Sequence, residues 1–146
     1  MAQDGHQLLN HSYNHPSFTG RSTGTAPLTR AERLDQPARA EAAIETAAGV
    51  TPIPWFRPPY GDEDASVRGD VALAGYRYEV MWTVDSLGWK GVSVEAIVSR
   101  CLDNAQNGAI YLFHVGSASA DAAALQDVID GLRQQGYSFG TVAEIS

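Results

Sequence analysis

The sequence predicts an α/β domain assembled from parallel βα units. Three observations point there. From Thr51 onward short apolar runs alternate with helical patterns. The runs look like the buried strands of a parallel sheet. The 146 residues are 44% hydrophobic and 18% charged, the composition of one globular domain able to bury a core.

The elements follow in order. Residues 11–15 read HSYNH, and on a helix the four-residue spacing would put both imidazoles on one face; Pro16 points instead to a helix end or a loop. FTGRSTGTAP, from Phe18 to Pro27, carries no periodicity and reads as a loop. A helix is predicted from Pro37 to Ala48, with Pro37 in its first turn and Ala40, Ala43, Ile44 and Ala47 forming a small-residue inner face. PIPWF, residues 52–56, is a short apolar run. It is followed by a helical stretch from Asp64 to Ala74 with Val67, Val71 and Leu73 on one side. Arg77 to Val84, rich in aromatic and β-branched residues, reads as one strand. Ser93 is a predicted N-cap for a helix reaching Asn107 through Val94, Ile97, Val98 and Leu102, stopped by Gly108. Ala109 to Phe113 is an apolar strand. Asp121 to Gln135 repeats the helical pattern through Ala124, Leu125, Val128, Ile129 and Leu132, with Gly136 at its end. Tyr137 to Val142 reads as a final strand. Four or five strands fall short of the roughly eight that close a parallel barrel.

Charge and cysteine content narrow the function. Seventeen acidic against ten basic residues give a net charge of −7, which argues against nucleic acid and anionic membrane surfaces as partners. No stretch reaches the roughly 20 apolar residues of a membrane span. No basic region followed by an apolar core marks a signal peptide at the N-terminus. A single cysteine, Cys101, excludes an internal disulfide and a cysteine-built zinc site.

Four polar clusters fall at or just beyond predicted strands. His11 and His15 could share a metal or be two ordinary histidines. Arg57 opens RPPYG, where two prolines fix the backbone and Tyr60-Gly61 turns it; a rigid structural turn with Arg57 in a salt bridge is an equal alternative. Asp85, Ser86 and Trp89 lie in WTVDSLGW, with Trp89 stacked on a sugar face, lining a small apolar pocket or, the commoner case, in the core. His114 is the polar end of AIYLFH; a satisfied buried histidine is the plainer alternative. Active sites on parallel α/β folds gather at the carboxyl ends of strands, so the four clusters together favour chemistry.

GHQLLNHSYNHP, FRPPYG, WTVDSLGW and IYLFH, in this order, resemble the metal-histidine, arginine, tryptophan and final-histidine motifs of the polysaccharide deacetylase family, the NodB-homology domain of carbohydrate esterase family 4. The similarity spans essentially the whole chain. It implies a distorted (β/α) barrel and a divalent metal, usually zinc, held by two histidines and one aspartate. Carried over by residue, His11 and His15 would be metal ligands, and Arg57 would orient the catalytic base. The Tyr60 backbone N–H would hold the oxyanion. Trp89 and Leu112 would line the acetyl-methyl pocket, with Asp85 on the substrate side, and His114 would be the general acid.

Three departures from the family pattern stand out. Its TFDDG motif, source of the base aspartate and the aspartate ligand, is absent, which implies an incomplete barrel missing the first βα unit; Asp4 is assigned neither role. Gly88 stands where DSxDW carries the aspartate that would partner the acid histidine, and Val115 stands where another aspartate commonly follows. The resemblance thus leaves His114 without an acidic partner. Two functions are carried forward: a metal-dependent deacetylase acting on an acetylated glycan, and a truncated, catalytically impaired relative that keeps glycan or metal binding. A chain cut from a longer gene is a third, plainer alternative. An open barrel edge would invite pairing with a second copy, so a homo-oligomer is expected.

Overall fold

The computed structural model describes residues 2–116 and 118–144. Its contacts divide the chain into two compact units, Met1–Met81 and Trp82–Ser146.

In the first unit helix α1 runs from Arg30 to Ala48. It begins seven residues before the predicted Pro37, because Thr29 and Glu32 form a capping box there: the Thr29 side chain accepts from the Glu32 N–H, and Glu32 accepts from the Thr29 N–H. Pro37 therefore lies inside the helix, where its missing N–H breaks the ladder to Arg33. The predicted inner face is corrected as well. Ala40 is buried, but Ala43 and Ala47 are exposed, and the buried side is formed by Gln36, Pro37 and Ala40.

Strand β1, Trp55–Phe56, pairs in parallel with β2, Tyr78–Glu79, in the register Trp55↔Tyr78 and Phe56↔Glu79. Between them α2, Ala65–Leu73, starts at Asp64, whose carboxylate accepts from the N–H groups of Ser66 and Val67 at 2.9 Å each. Val67 and Val71 are buried as expected, whereas Leu73 is 66% exposed. Phe18, Phe56, Val67, Val71 and Tyr76 form the core, with the Phe56 ring 5.5 Å from Phe18 and 5.8 Å from Tyr76. Asp70 on α2 holds α1 through Arg33 at 2.8 Å and Arg30 at 3.3 Å.

In the second unit β3, Val84–Asp85, pairs in parallel with β4, Tyr111–Leu112. Helix α3 spans Val94–Asp103 and α4 spans Asp121–Gln134. Ser93 caps α3 as predicted, but the helix stops at Asp103 because the Asn104 side chain donates back to the Arg100 carbonyl at 2.8 Å. Val84, Ile97, Cys101, Ala124, Val128 and Leu132 are the core. Leu125, expected on the inner face, is 42% exposed. The helices approach closely at Gly131, where a Cβ would meet Leu102 Cδ1 at 2.7 Å.

Two further expectations are corrected. The predicted strand Arg77–Val84 is two strands. Its middle leaves the β1–β2 ladder where the Arg57 guanidinium takes the carbonyls of Val80 and Met81, and the N–H groups of Thr83 and Val84 turn to the Ile110 carbonyl. The predicted final strand is absent from residues 137–142. Tyr137 packs against the α3–α4 core and donates to the Ala105 carbonyl at 3.1 Å, while Thr141 and Glu144 bond one another and fold Val142–Glu144 into a 3₁₀ turn. Among the described residues the four strands form two separate two-stranded parallel sheets.

Candidate functional site

Each predicted cluster lies at or just past the carboxyl end of a strand. Asn10 bridges in parallel to Phe56 and His11 follows it. Arg57 follows β1, Asp85 ends β3, and His114 stands two residues beyond β4.

In the first unit the histidine segment is a loop rather than a helix. Ser12 (φ 67°) and His15 (φ 59°) are left-handed, and Pro16 follows, so no helical face exists. The rings nevertheless meet, 4.8 Å apart and edge to face, with the Tyr60 ring 4.6 Å from His15. Side chains sited far away in sequence build this loop. Asn10, fully buried, donates to the Pro37 carbonyl at 2.8 Å and to the Tyr76 hydroxyl at 2.6 Å, and accepts from the Ser12 N–H at 3.0 Å. The buried Gln36 side chain on α1 accepts from the N–H groups of Tyr13 and Asn14. His11 Nδ1 lies 2.7 Å from the Arg57 carbonyl. A carbonyl only accepts, so Nδ1 carries a proton.

Arg57 donates through Nε to Val80 O at 2.8 Å and through Nη2 to Met81 O at 3.2 Å. Burial pulls its guanidinium below the usual arginine range. The RPPYG turn that follows is left-handed at Tyr60 (φ 61°, ψ 0°). Gly61 and Asp62 spend their N–H groups on the carbonyls of Pro58 and Pro59. The Asp62 carboxylate then organises the loop of residues 18–27. Burial alone would raise its pKa, but hydrogen bonds from Ser17, Ser22 and Thr19 outweigh burial and hold it below the usual carboxylate range.

In the second unit Asp85 is committed to its own turn. Its carboxylate accepts from the Leu87 N–H at 2.9 Å and from the Trp89 indole Nε1 at 3.2 Å, and its carbonyl accepts from Arg100 at 2.6 Å. The indole is 53% exposed with Lys90 Nζ 5.0 Å above it, so Trp89 is not a core tryptophan. Leu112, half-buried, lies in register with Asp85. The His114 side chain is 38% exposed, and Nδ1 is 3.7 Å from the carboxylate of Asp121, itself 2% exposed. The His114 backbone N–H donates to that carboxylate at 2.6 Å. A buried carboxylate from α4 thus lies near the His114 ring, although position 88 carries none.

Sequence reasoning missed Asn10, Gln36 and Asp121. For Asp121 the one available signal was an acidic residue opening an apolar helix seven positions after His114. Among the described residues no group of three or more histidine, cysteine, aspartate or glutamate side chains could hold a metal.

Residues 1–79 match the family model described as polysaccharide deacetylase. The chain belongs to the polysaccharide deacetylase family. The uncharacterised protein YlxY of Bacillus subtilis (strain 168) is 36% identical over 99% of this chain and 42% of its own length. The peptidoglycan N-acetylglucosamine deacetylase PgdA of Listeria monocytogenes is 31% identical over 98% of this chain and 28% of its own. The chain therefore spans less than half of either relative. Among solved structures, a carbohydrate esterase family 4 pseudoenzyme from Bacillus anthracis superimposes with a TM-score of 0.83 at 30% identity, covering 99% of this chain and 47% of that one. The residues matched by the family model include both HSYNH and RPPYG.

Proposed function

We propose that the protein hydrolyses acetyl groups from an acetylated glycan, the substrate class that the name of the Listeria relative carries. The observation that supports this most is His114, a partly exposed imidazole at a strand end with a buried carboxylate behind it. Such a group can hand a proton to a leaving atom. In this reading water adds to the acetyl carbonyl and releases a proton to solvent, the C–N or C–O bond breaks, and His114 in its protonated form gives its proton to the departing nitrogen or oxygen as acetate leaves. The Tyr60 N–H would donate to the oxyanion. Trp89 and Leu112 would bound the acetyl methyl, and Asp85 would act by orienting the Trp89 indole. Arg57 would keep the His11 tautomer through its carbonyl.

His11 and His15 fit two positions of a divalent-cation site, since their rings are close and the His11 proton lies on Nδ1. These two residues would hold the metal, with zinc the expected ion. Bound metal would polarise the carbonyl and acidify water. A catalytic zinc takes three protein ligands, so a further donor would complete the site. The likeness to a pseudoenzyme favours a second reading: a catalytically impaired relative that retains glycan or metal binding. A distorted barrel and a homo-oligomer belong to the same proposal, the latter open to light scattering.

The test is acetate release from acetylated chito-oligomers and acetylxylan with added zinc or cobalt. Turnover clearly above a His114→Ala variant is expected. Rates equal to that variant would overturn the catalytic reading and leave the binding one, which glycan and zinc titrations then examine.

A further inference from the structure

Asp121 is the first residue of α4 and is 2% exposed. A carboxylate so buried needs partners for both oxygens. Oδ2 accepts the His114 backbone N–H. Oδ1 has no hydrogen-bond partner among the described residues, and neither does His114 Nδ1. The orphaned acceptor and the orphaned ring nitrogen therefore belong to neighbouring groups, since Nδ1 lies 3.7 Å from Oδ2. A modest rotation of the ring would bring a proton on Nδ1 into hydrogen-bond reach.

Room for that carboxylate comes from Gly88. A Cβ at position 88 would meet Asp121 Oδ1 at 2.2 Å, Asp121 Cγ at 2.5 Å and Ser119 Oγ at 2.6 Å. A side chain at 88 and the carboxylate of Asp121 exclude one another. The glycine is thus required by contact with α4, independently of its backbone angles.

We propose that Asp121 is the positioning residue for His114: its carboxylate, seated against Gly88, orients the imidazole and selects Nδ1 as the nitrogen that carries the proton. Nε2 is then the nitrogen that exchanges a proton with a substrate. A negative carboxylate also compensates the imidazolium whenever both nitrogens are protonated. This rests on His114 as the proton donor of the proposed function. A purely structural Asp121 would serve only as an acceptor for the His114 backbone N–H, a task that an asparagine oxygen performs equally well.

The experiment compares the full chain with Asp121→Asn, and with a double variant in which Gly88→Asp is combined with Asp121→Ala. Nitrogen-15 spectra of histidine-labelled protein at fixed pH report the His114 tautomer, and acetate release from acetylated chito-oligomers reports kcat and KM. In the native chain the Nδ1–H tautomer should predominate. Asp121→Asn should mix the tautomers and lower kcat about tenfold or more, with KM changed less than about twofold. The double variant, which returns a carboxylate from the other side of the gap, should restore the tautomer. Native-like tautomer and kcat in Asp121→Asn overturn the proposal, as does a folded double variant whose His114 stays mixed. An inactive native chain would refute the deacetylase reading, while the tautomer measurement would still decide the role of Asp121.

Discussion

Replacing Asn10 by alanine removes three side-chain hydrogen bonds at a fully buried position: those to the Pro37 carbonyl, the Tyr76 hydroxyl and the Ser12 N–H. Each is worth about 0.5–1.5 kcal/mol net. Tyr76 keeps Glu41 as a partner at 2.8 Å, so its hydroxyl is not orphaned and the loss stays below the sum of the maxima. The Pro37 carbonyl likewise keeps the Tyr76 hydroxyl, at 3.5 Å, so the expected destabilisation is ~1.5–3 kcal/mol. With a urea slope of roughly 1–3 kcal/mol/M for a small domain, the first transition should fall by about 1–2 M. Far-UV circular dichroism measures it. Asn10→Asp is the companion variant: it keeps an acceptor for Ser12 but turns a carboxylate toward the Pro37 carbonyl, and should cost at least as much. The histidine spectra should change in both, because Ser12 and His15 hold left-handed angles that Asn10 helps to fix. A midpoint within about 0.3 M of the native one would refute the claim that Asn10 holds the histidine loop on α1.

Three further outcomes follow from the geometry. The Asp62 carboxyl lies below its ordinary range when folded, so its contribution is present above the unfolded value near about 4 and disappears as pH falls through the lower folded value; Asp62→Ala should lose ~1.5–3 kcal/mol at neutral pH and flatten the acid limb of a pH–stability curve. Burial first, and the Asp121 charge second, push the Cys101 thiol up to about 11, so native protein should resist a thiol-specific disulfide reagent at pH 8 and react stoichiometrically in denaturant. Gly131→Ala should cost about 1–3 kcal/mol by pressing on Leu102, measured by thermal unfolding, and Leu102→Ala in the same chain should recover part of that loss.

What could be read from the sequence is what depends on near neighbours. Ser93 is a cap whose bond reaches three residues, and it was visible in the sequence. The four strand-end clusters were also legible, since strand termini follow from local apolar runs. The HSYNH loop was not: its angles depend on Asn10 reaching Pro37 and Tyr76, which are 27 and 66 positions away. The start of α1 was missed because Pro37 fits a first turn equally well, and only the Thr29–Glu32 box decides against it. The single strand expected over 77–84 ended early because an arginine side chain from position 57, not a turn signal, competes for its carbonyls. Asp121 looked like an ordinary acidic opening to a helix; its partners Gly88 and His114 are met only in three dimensions.

The two parallel pairs bear on how the chain acquires its structure. Trp55 meets Tyr78 and Val84 meets Tyr111, each pairing closing a segment that holds one intervening helix. These segments are so similar in length that their closure entropies differ by only about 0.1–0.2 kcal/mol. The helices inside them have nine and ten residues, too few to persist alone in water, where roughly 12–15 are needed. Neither a strand pair nor its helix can therefore wait for the other. Each βαβ segment should form in one cooperative step, and a destabilised α2 should slow the appearance of β1–β2 pairing in stopped-flow refolding instead of leaving a populated sheet without its helix.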